Sequence, residues 1–145
     1  VVVDAIGEWD TYSAYRAEYD TNGIARYKRI MSQKYPHSMG LFYSAMTQRV
    51  GLKPMEEEYI LMGMAAYEEK PMQLQEHSKN YTIELLKKAF TYSDCDNIVL
   101  SGGYALNCVN NYAYVSKFHT KNFFIDPVAH DGGTSIGAAL SVNNE

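Results

Sequence analysis

NIVLSGGYALNC, residues 97–108, and NFFIDPVAHDGGTSIGAAL, residues 122–140, are built alike. In each, a short apolar run (Ile98–Leu100, Phe123–Ile125) ends in a small-residue turn and passes into a helical pattern. Strand, turn and helix, twice over, describe a parallel α/β unit. Ser101, Gly102 and Gly103 form the first turn, and Asp131, Gly132, Gly133 and Thr134 the second. Glycine lets backbone amides approach a ligand closely, the helix start behind it favours anions, and open α/β sheets bind ligands at strand carboxyl ends. Asp131 adds an oxygen donor suited to a hard cation beside phosphate. Gly-Gly after a strand is also ordinary α/β punctuation, so one such turn says little; two in one unit, the second with an acid, point to a nucleotide.

Bulk properties frame that expectation. The 145 residues amount to about one domain, and 46% hydrophobic with 21% charged residues is an ordinary globular balance. A net charge of -4 leaves no basic footprint, so no nucleic-acid partner is expected. No apolar run approaches the ~20 residues of a membrane span, and nothing resembles a signal peptide. The expectation is a cytoplasmic protein with no membrane partner. Cys95 and Cys108 make no CxxC pair and are expected as reduced, buried thiols.

Outward from the deciding stretch, Val1–Asp4 opens abruptly as a buried strand, as expected of a piece of a longer protein. DAIGEWD (4–10) supplies a turn, Thr11–Glu18 a second strand, Asp20–Gly23 a hairpin with the Asn-Gly pair of a type I′ turn, and Ile24–Ile30 a third strand. Pro36 ends this sheet. Ser38 caps a predicted helix over 39–50 that Gly51 stops. A second helix is predicted over 56–67, with Glu56, Glu57 and Glu58 in its first turn, and a third over 72–90.

Three antiparallel strands, helices, strand, helix, strand, helix is the succession expected of a ribonuclease H-like domain, a mixed five-stranded sheet flanked by helices. Short, right-handed connections leave few other arrangements. In that fold the turn after the first strand, with Asp4, and the turns after the fourth and fifth strands converge on one cleft.

Four blocks in order carry a family resemblance: VVVDAIGEWDTYSAYR (1–16), PHSMGLFYSAMTQRVGLKPMEEEYILMGMAAY (36–67), NIVLSGGYALNC (97–108) and DPVAHDGGTSIGAAL (126–140). Together they resemble the NodU/CmcH/TobZ-type O-carbamoyltransferases. The resemblance implies an actin-like ATPase (ASKHA), Kae1-like core, of which residues 1–145 look like the second ribonuclease H-like lobe. It implies transfer of a carbamoyl group from carbamoyl phosphate, through a carbamoyl-adenylate made with ATP, to a hydroxyl-bearing small molecule. It also implies a first lobe and a YrdC-like domain in the full protein. Carried over by position, Asp4 and Asp131 are the expected catalytic and metal-ligating acids, for a divalent metal that is iron or magnesium-like. Ser101, Gly102, Gly103 and Asn107, with Gly132, Gly133 and Thr134, are the expected nucleotide-binding residues.

Departures from the family pattern are visible in the string. Ala5 replaces a glycine, Ile60 stands where a lysine is usual, and only Glu68–Pro71 separate Tyr67 from Met72, where family members carry a long segment. These keep two alternatives open: another actin-like-fold phosphotransferase or ATPase, and a degenerate, non-catalytic binding module. His130, beside Asp131, is weighed as a ligand and set below the acids, since metal sites need several ligands. His37 is read as a helix contact, His77 and His119 as surface residues, and Trp9 as a partly buried aromatic or a substrate cover.

Overall fold

A computed structural model describes residues 1–143. Strands β1 (Val2–Gly7), β2 (Asp10–Tyr19) and β3 (Ala25–Lys34) form an antiparallel meander, in register at Val3 with Tyr12 and at Ser13 with Ser32. Strands β4 (Asn97–Leu100) and β5 (Asn122–Ile125) pair in parallel, each residue from 97 to 100 facing its counterpart from 122 to 125. One parallel bridge joins the two sheets. The Val3 amide donates to the Ser101 carbonyl at 2.8 Å, and the Ser101 amide to the Val1 carbonyl at 2.9 Å. The strands therefore run β3-β2-β1-β4-β5, with β1 central and parallel to β4.

Alternation along the strands decides which face is buried. Ile98 and Leu100 of β4 pack with Ile83, Leu86 and Tyr114, supported by Phe123 and Ile125 of β5. Val3, Tyr12 and Ala14 pack against Ala89, beside Leu85. The covering elements are helices α3 (Glu69–Phe90) and α4 (Cys108–Lys117). Between them in alternation, Val99 and Phe124 are exposed. Ile136 and Leu140 of α5 (Thr134–Asn143) are exposed as well.

Helix α1 (Met39–Arg49) begins as its sequence dictates: the Ser38 hydroxyl accepts the Leu41 amide at 3.1 Å. The same hydroxyl donates to the Ala5 carbonyl at 2.6 Å, tying the helix start to β1. Helix α2 (Glu58–Met64) is shorter than the predicted 56–67. Its leading acids serve the preceding loop instead of a first turn: Glu57 accepts the Lys53 amide and Glu58 the Met55 amide, both at 2.6 Å. The helix predicted from Met72 starts at Glu69, because Pro71 is tolerated in a first turn whose amides need no intrahelical partner.

Two local expectations are corrected. Both cysteines are exposed: Cys95 lies in the loop before β4 and Cys108 opens α4, outside the apolar clusters. The β2–β3 hairpin is not a two-residue type I′ turn, since only Gly23 has positive φ, +78°. Asp20 and Ile24 close a three-residue loop by the Asp20 amide on the Ile24 carbonyl, with Gly23 in the left-handed position. The Asp20 carboxylate organises the loop, accepting the Asn22 amide at 2.9 Å, the Ile24 amide at 3.0 Å and Arg26 at 2.9 Å.

The amide of Ile24, ahead of that of Asn22 and the Arg26 guanidinium, holds the Asp20 carboxyl below the usual aspartate range. A folded-state value below the unfolded one contributes stability that is complete above the unfolded pKa and lost as pH falls through the folded one. An NMR titration should place the Asp20 midpoint below that of a random-coil aspartate, and Asp20→Asn should remove this part of the acid sensitivity. A midpoint at or above the random-coil value would contradict the loop geometry.

Candidate functional site

Where the carboxyl end of β1 meets the turns after β4 and β5, a cavity of about 340 Å³ opens. Asp4 of β1, Gly103 after β4 and His130 after β5 line it on one side, with Asn107 at the start of α4. Gly40, Tyr43 and Ser44 of α1, and Glu58, Tyr59 and Met62 of α2, build the opposite wall. Three loops that are distant in sequence thus meet because the Val3–Ser101 pairing sets β1 beside β4.

The sequence-predicted residues separate into two groups. Asp4, Gly103 and Asn107 face the cavity. The Asp4 carboxylate accepts the Ala5 amide through Oδ1 at 2.7 Å, and its other oxygen has no hydrogen-bond partner among the described residues. Ser101 and Gly102 are occupied elsewhere: the Ser101 hydroxyl and the Gly102 amide both donate to the Ala129 carbonyl, at 3.3 and 2.8 Å. Asp131, Gly132, Gly133 and Thr134 stand outside the lining. They form a tight 3-10 turn and the start of α5, adjoining the cavity through His130. Asp131 and Thr134 are exposed, and the Thr134 hydroxyl donates to the Asp131 carbonyl at 2.6 Å.

The glycines have a different use from ligand approach. A Cβ on Gly102 would fall 2.1 Å from the Val3 carbonyl oxygen, and its φ is +94°. One on Gly133 would lie 2.2 Å from the Val128 carbonyl oxygen, and one on Gly40 2.7 Å from the Ala5 backbone. These positions let backbone pass against backbone. Gly132 clears the His130 ring, which a Cβ would strike at 2.5 Å. Gly103 alone faces the cavity with ordinary room, 3.6 Å from an Asp4 oxygen.

His130, a weaker ligand candidate than the acids by sequence, lines the cavity. Its Nδ1 accepts the Gly132 amide at 3.0 Å, so a neutral ring carries its proton on Nε2. Glu58 and Tyr43 had no local signal pointing to a site. Glu58 accepts both the Ser44 hydroxyl and the Met55 amide, which anchors the α2 wall. Burial, with Tyr104 and Glu58 nearby, pushes the Tyr43 hydroxyl above its ordinary value, so it stays protonated and donates to Gln75 at 2.8 Å. Trp9 lies in the β1–β2 turn, edge-on to Tyr35 and away from the cavity.

Among the described residues no three His, Cys, Asp or Glu side chains gather into a metal-holding group. Asp4 lines the cavity and Asp131 stands outside it, so these residues alone do not fit a complete metal centre. Asp4 and Glu58 are the carboxylates of the lining, and neither Lys nor Arg is among its residues. With two carboxylates and no fixed cation in the lining, an anionic ligand entering here would need to bring its own counter-cation.

Comparison with known proteins locates the chain among its relatives. Residues 72–140 match the family model described as carbamoyltransferase N-terminus. An uncharacterized protein of Synechocystis sp. is 27% identical over 201 residues, covering 97% of this chain and 32% of the relative. That alignment is longer than this chain, so the relative carries additional residues inside the matched span. The nodulation protein NolNO of Sinorhizobium fredii is 32% identical over 72 residues, 50% of this chain and 11% of the relative. The nodulation protein NolO of Bradyrhizobium diazoefficiens is 26% identical over 138 residues, 88% of this chain and 25% of the relative. The chain spans about a third or less of the length of these curated relatives.

The glycine geometry separates packing from binding. Gly102→Ala should cost at least about 2 kcal/mol in denaturant unfolding, from the left-handed φ and the carbonyl clash. Gly103→Ala should cost less than about 1 kcal/mol, because its Cβ meets only ordinary contact. Equal costs at the two positions would overturn this division.

Proposed function

We propose that the chain forms the second, ribonuclease H-like lobe of a NodU/NolO-type O-carbamoyltransferase core, a reading supported by the match of residues 72–140 to the carbamoyltransferase N-terminus family and by the likeness to NolNO and NolO. The observation that carries this reading is the convergence of Asp4, Gly103 and His130, from three separate strand ends, on one cavity. The strand order with a parallel β1–β4 seam supports the ribonuclease H-like assignment.

These likenesses support a transferase with a carbamoyl donor and an acceptor. The finer chemistry is our proposal. The donor is a carbamoyl-adenylate derived from carbamoyl phosphate and ATP, and the acceptor is the hydroxyl of a small molecule. The hydroxyl oxygen bonds to the carbamoyl carbon, the carbon–oxygen bond to the adenylate phosphate breaks to release AMP, and the hydroxyl proton passes to a carboxylate. Asp4 suits that last task, having one oxygen held by the Ala5 amide and the other without a partner among the described residues. His130, fixed by Gly132, offers an Nε2 proton to a developing negative charge. The ligands that would complete a divalent-cation site would come from the first lobe, and no step is assigned to that cation.

Calorimetric titration of the intact protein with ATP, with and without magnesium, tests the reading together with AMP release in the presence of carbamoyl phosphate. ATP binding should require the cation, because the cavity lining holds two acids and neither Lys nor Arg. Asp4→Asn should slow transfer by about 10²- to 10⁴-fold, the usual contribution of a positioned acid or base. Absence of coupled ATP and metal binding would make the lobe a non-catalytic binding module. Phosphorylation of a sugar without carbamoyl phosphate would make it another phosphotransferase of the actin-like fold.

A further inference from the structure

Behind the cavity, α1, α3 and α4 share a buried amide network centred on Gln75, which is 6% exposed. Its Nε2 donates to Asn107 Oδ1 at 2.7 Å and to Asn110 Oδ1 at 3.0 Å. Its Oε1 accepts the Tyr43 hydroxyl at 2.8 Å and Asn107 Nδ2 at 3.3 Å. All four hydrogen-bonding valences of the amide are used. Asn110, fully buried, passes the pattern on by donating to Ser78 at 3.1 Å and to the Tyr104 hydroxyl at 2.8 Å.

One backbone group sets every orientation in this chain of bonds. Asn107 caps α4, and the Asn110 amide donates to its side chain at 3.1 Å. A backbone N–H can face only an acceptor, so the atom there is Oδ1 and the Asn107 amide is not free to flip. The Gln75 atom opposite the same oxygen must then be Nε2, and the Asn110 atom that Gln75 meets must be Oδ1. Both lone pairs of Asn107 Oδ1 are consumed, by Gln75 and by the cap. One Nδ2 proton goes to Gln75. The other makes no further hydrogen bond among the described residues, on a side chain that lies beside the Tyr43 hydroxyl and lines the cavity.

We infer that Gln75 is a positioning residue that locks Asn107 as a hydrogen-bond donor to the cavity, so the bound ligand presents an acceptor oxygen there. A phosphoryl oxygen of ATP and the carbonyl or phosphoryl oxygens of carbamoyl phosphate share that chemistry. The inference deepens the function proposed above and rests on it for the ligand, whereas the locking of Asn107 is independent of it.

Selective 15N-asparagine labelling of the intact protein reads the lock directly. The two Asn107 Nδ2 protons should differ, one protected from solvent exchange and one exchanging freely; two equivalent protons would overturn the inference. Gln75→Glu replaces the donating nitrogen by an acceptor facing two other acceptors, which disturbs the placement of Asn107, and should weaken binding about 10- to 100-fold. The affected probe, magnesium–ATP or carbamoyl phosphate, identifies which oxygen Asn107 meets. Asn107→Asp keeps the helix cap but loses the donor, and should weaken the same probe similarly. The double variant should then bind no more than about threefold worse than the weaker single, since both act through one contact. Wild-type affinity in either single variant, or losses that multiply, would overturn the inference. Should Gln75→Glu fail to fold, the wild-type exchange pattern and Asn107→Asp still decide it. If neither probe binds the wild-type protein, the functional reading fails, and the exchange pattern alone decides the lock.

Discussion

The architecture depends on the parallel seam between β1 and the end of β4. Two backbone hydrogen bonds, Val3 to Ser101 and Ser101 to Val1, join a meander from the first third of the chain to an α/β unit from the last third. Buried backbone groups must be paired, and this seam pairs them where the apolar clusters around Tyr12 and Leu100 adjoin. Gly102 makes it possible, because the chain turns away from β4 directly against the Val3 carbonyl. With the seam closed, Asp4 and Gly103 share one rim.

The cavity inherits its walls from the same constraint. The Ser38 hydroxyl caps α1 and donates to the Ala5 carbonyl, and Gly40 rests against the Ala5 backbone, so α1 starts at β1 and nowhere else. Glu58 then holds α2 to α1 through Ser44 and to its own approach loop through the Met55 amide. His130 arrives from the far edge because the Ala129 carbonyl accepts from both Ser101 and Gly102. The residues that face a ligand are held by residues that do not, which is how a site on loops acquires a defined geometry.

Burial in this protein is not purely apolar. Ser78, Thr82 and Asn110 are fully enclosed, and Gln75 nearly so, beside Leu74 and Leu86. Such groups are costly unless hydrogen-bonded, and the Gln75 amide is satisfied at all four positions. Directional bonds specify orientation where dispersion contacts would not, and here the specified side chain is at the cavity.

Much of this was legible in one dimension. Short apolar runs placed β1, β4 and β5, alternation and the hairpin turn placed β2 and β3, helical spacing and Ser38 placed α1, and the two glycine turns marked the ends of β4 and β5. Asp4, Gly103 and Asn107, to which the family resemblance points, line the cavity. Local chemistry could not say what each glycine opposes, because Gly102 and Gly133 are required by carbonyls of Val3 and Val128 that only the folded chain brings near. Nor could it reveal Gln75, Glu58 or Tyr43, whose roles come from partners 32 or 14 residues away. The exposed thiols had the same cause, since thiol burial depends on what packs over a position. Residue type and spacing determine the elements and the turns; what those turns touch is decided by the closure of the sheet, because only there do distant backbones compete for the same space.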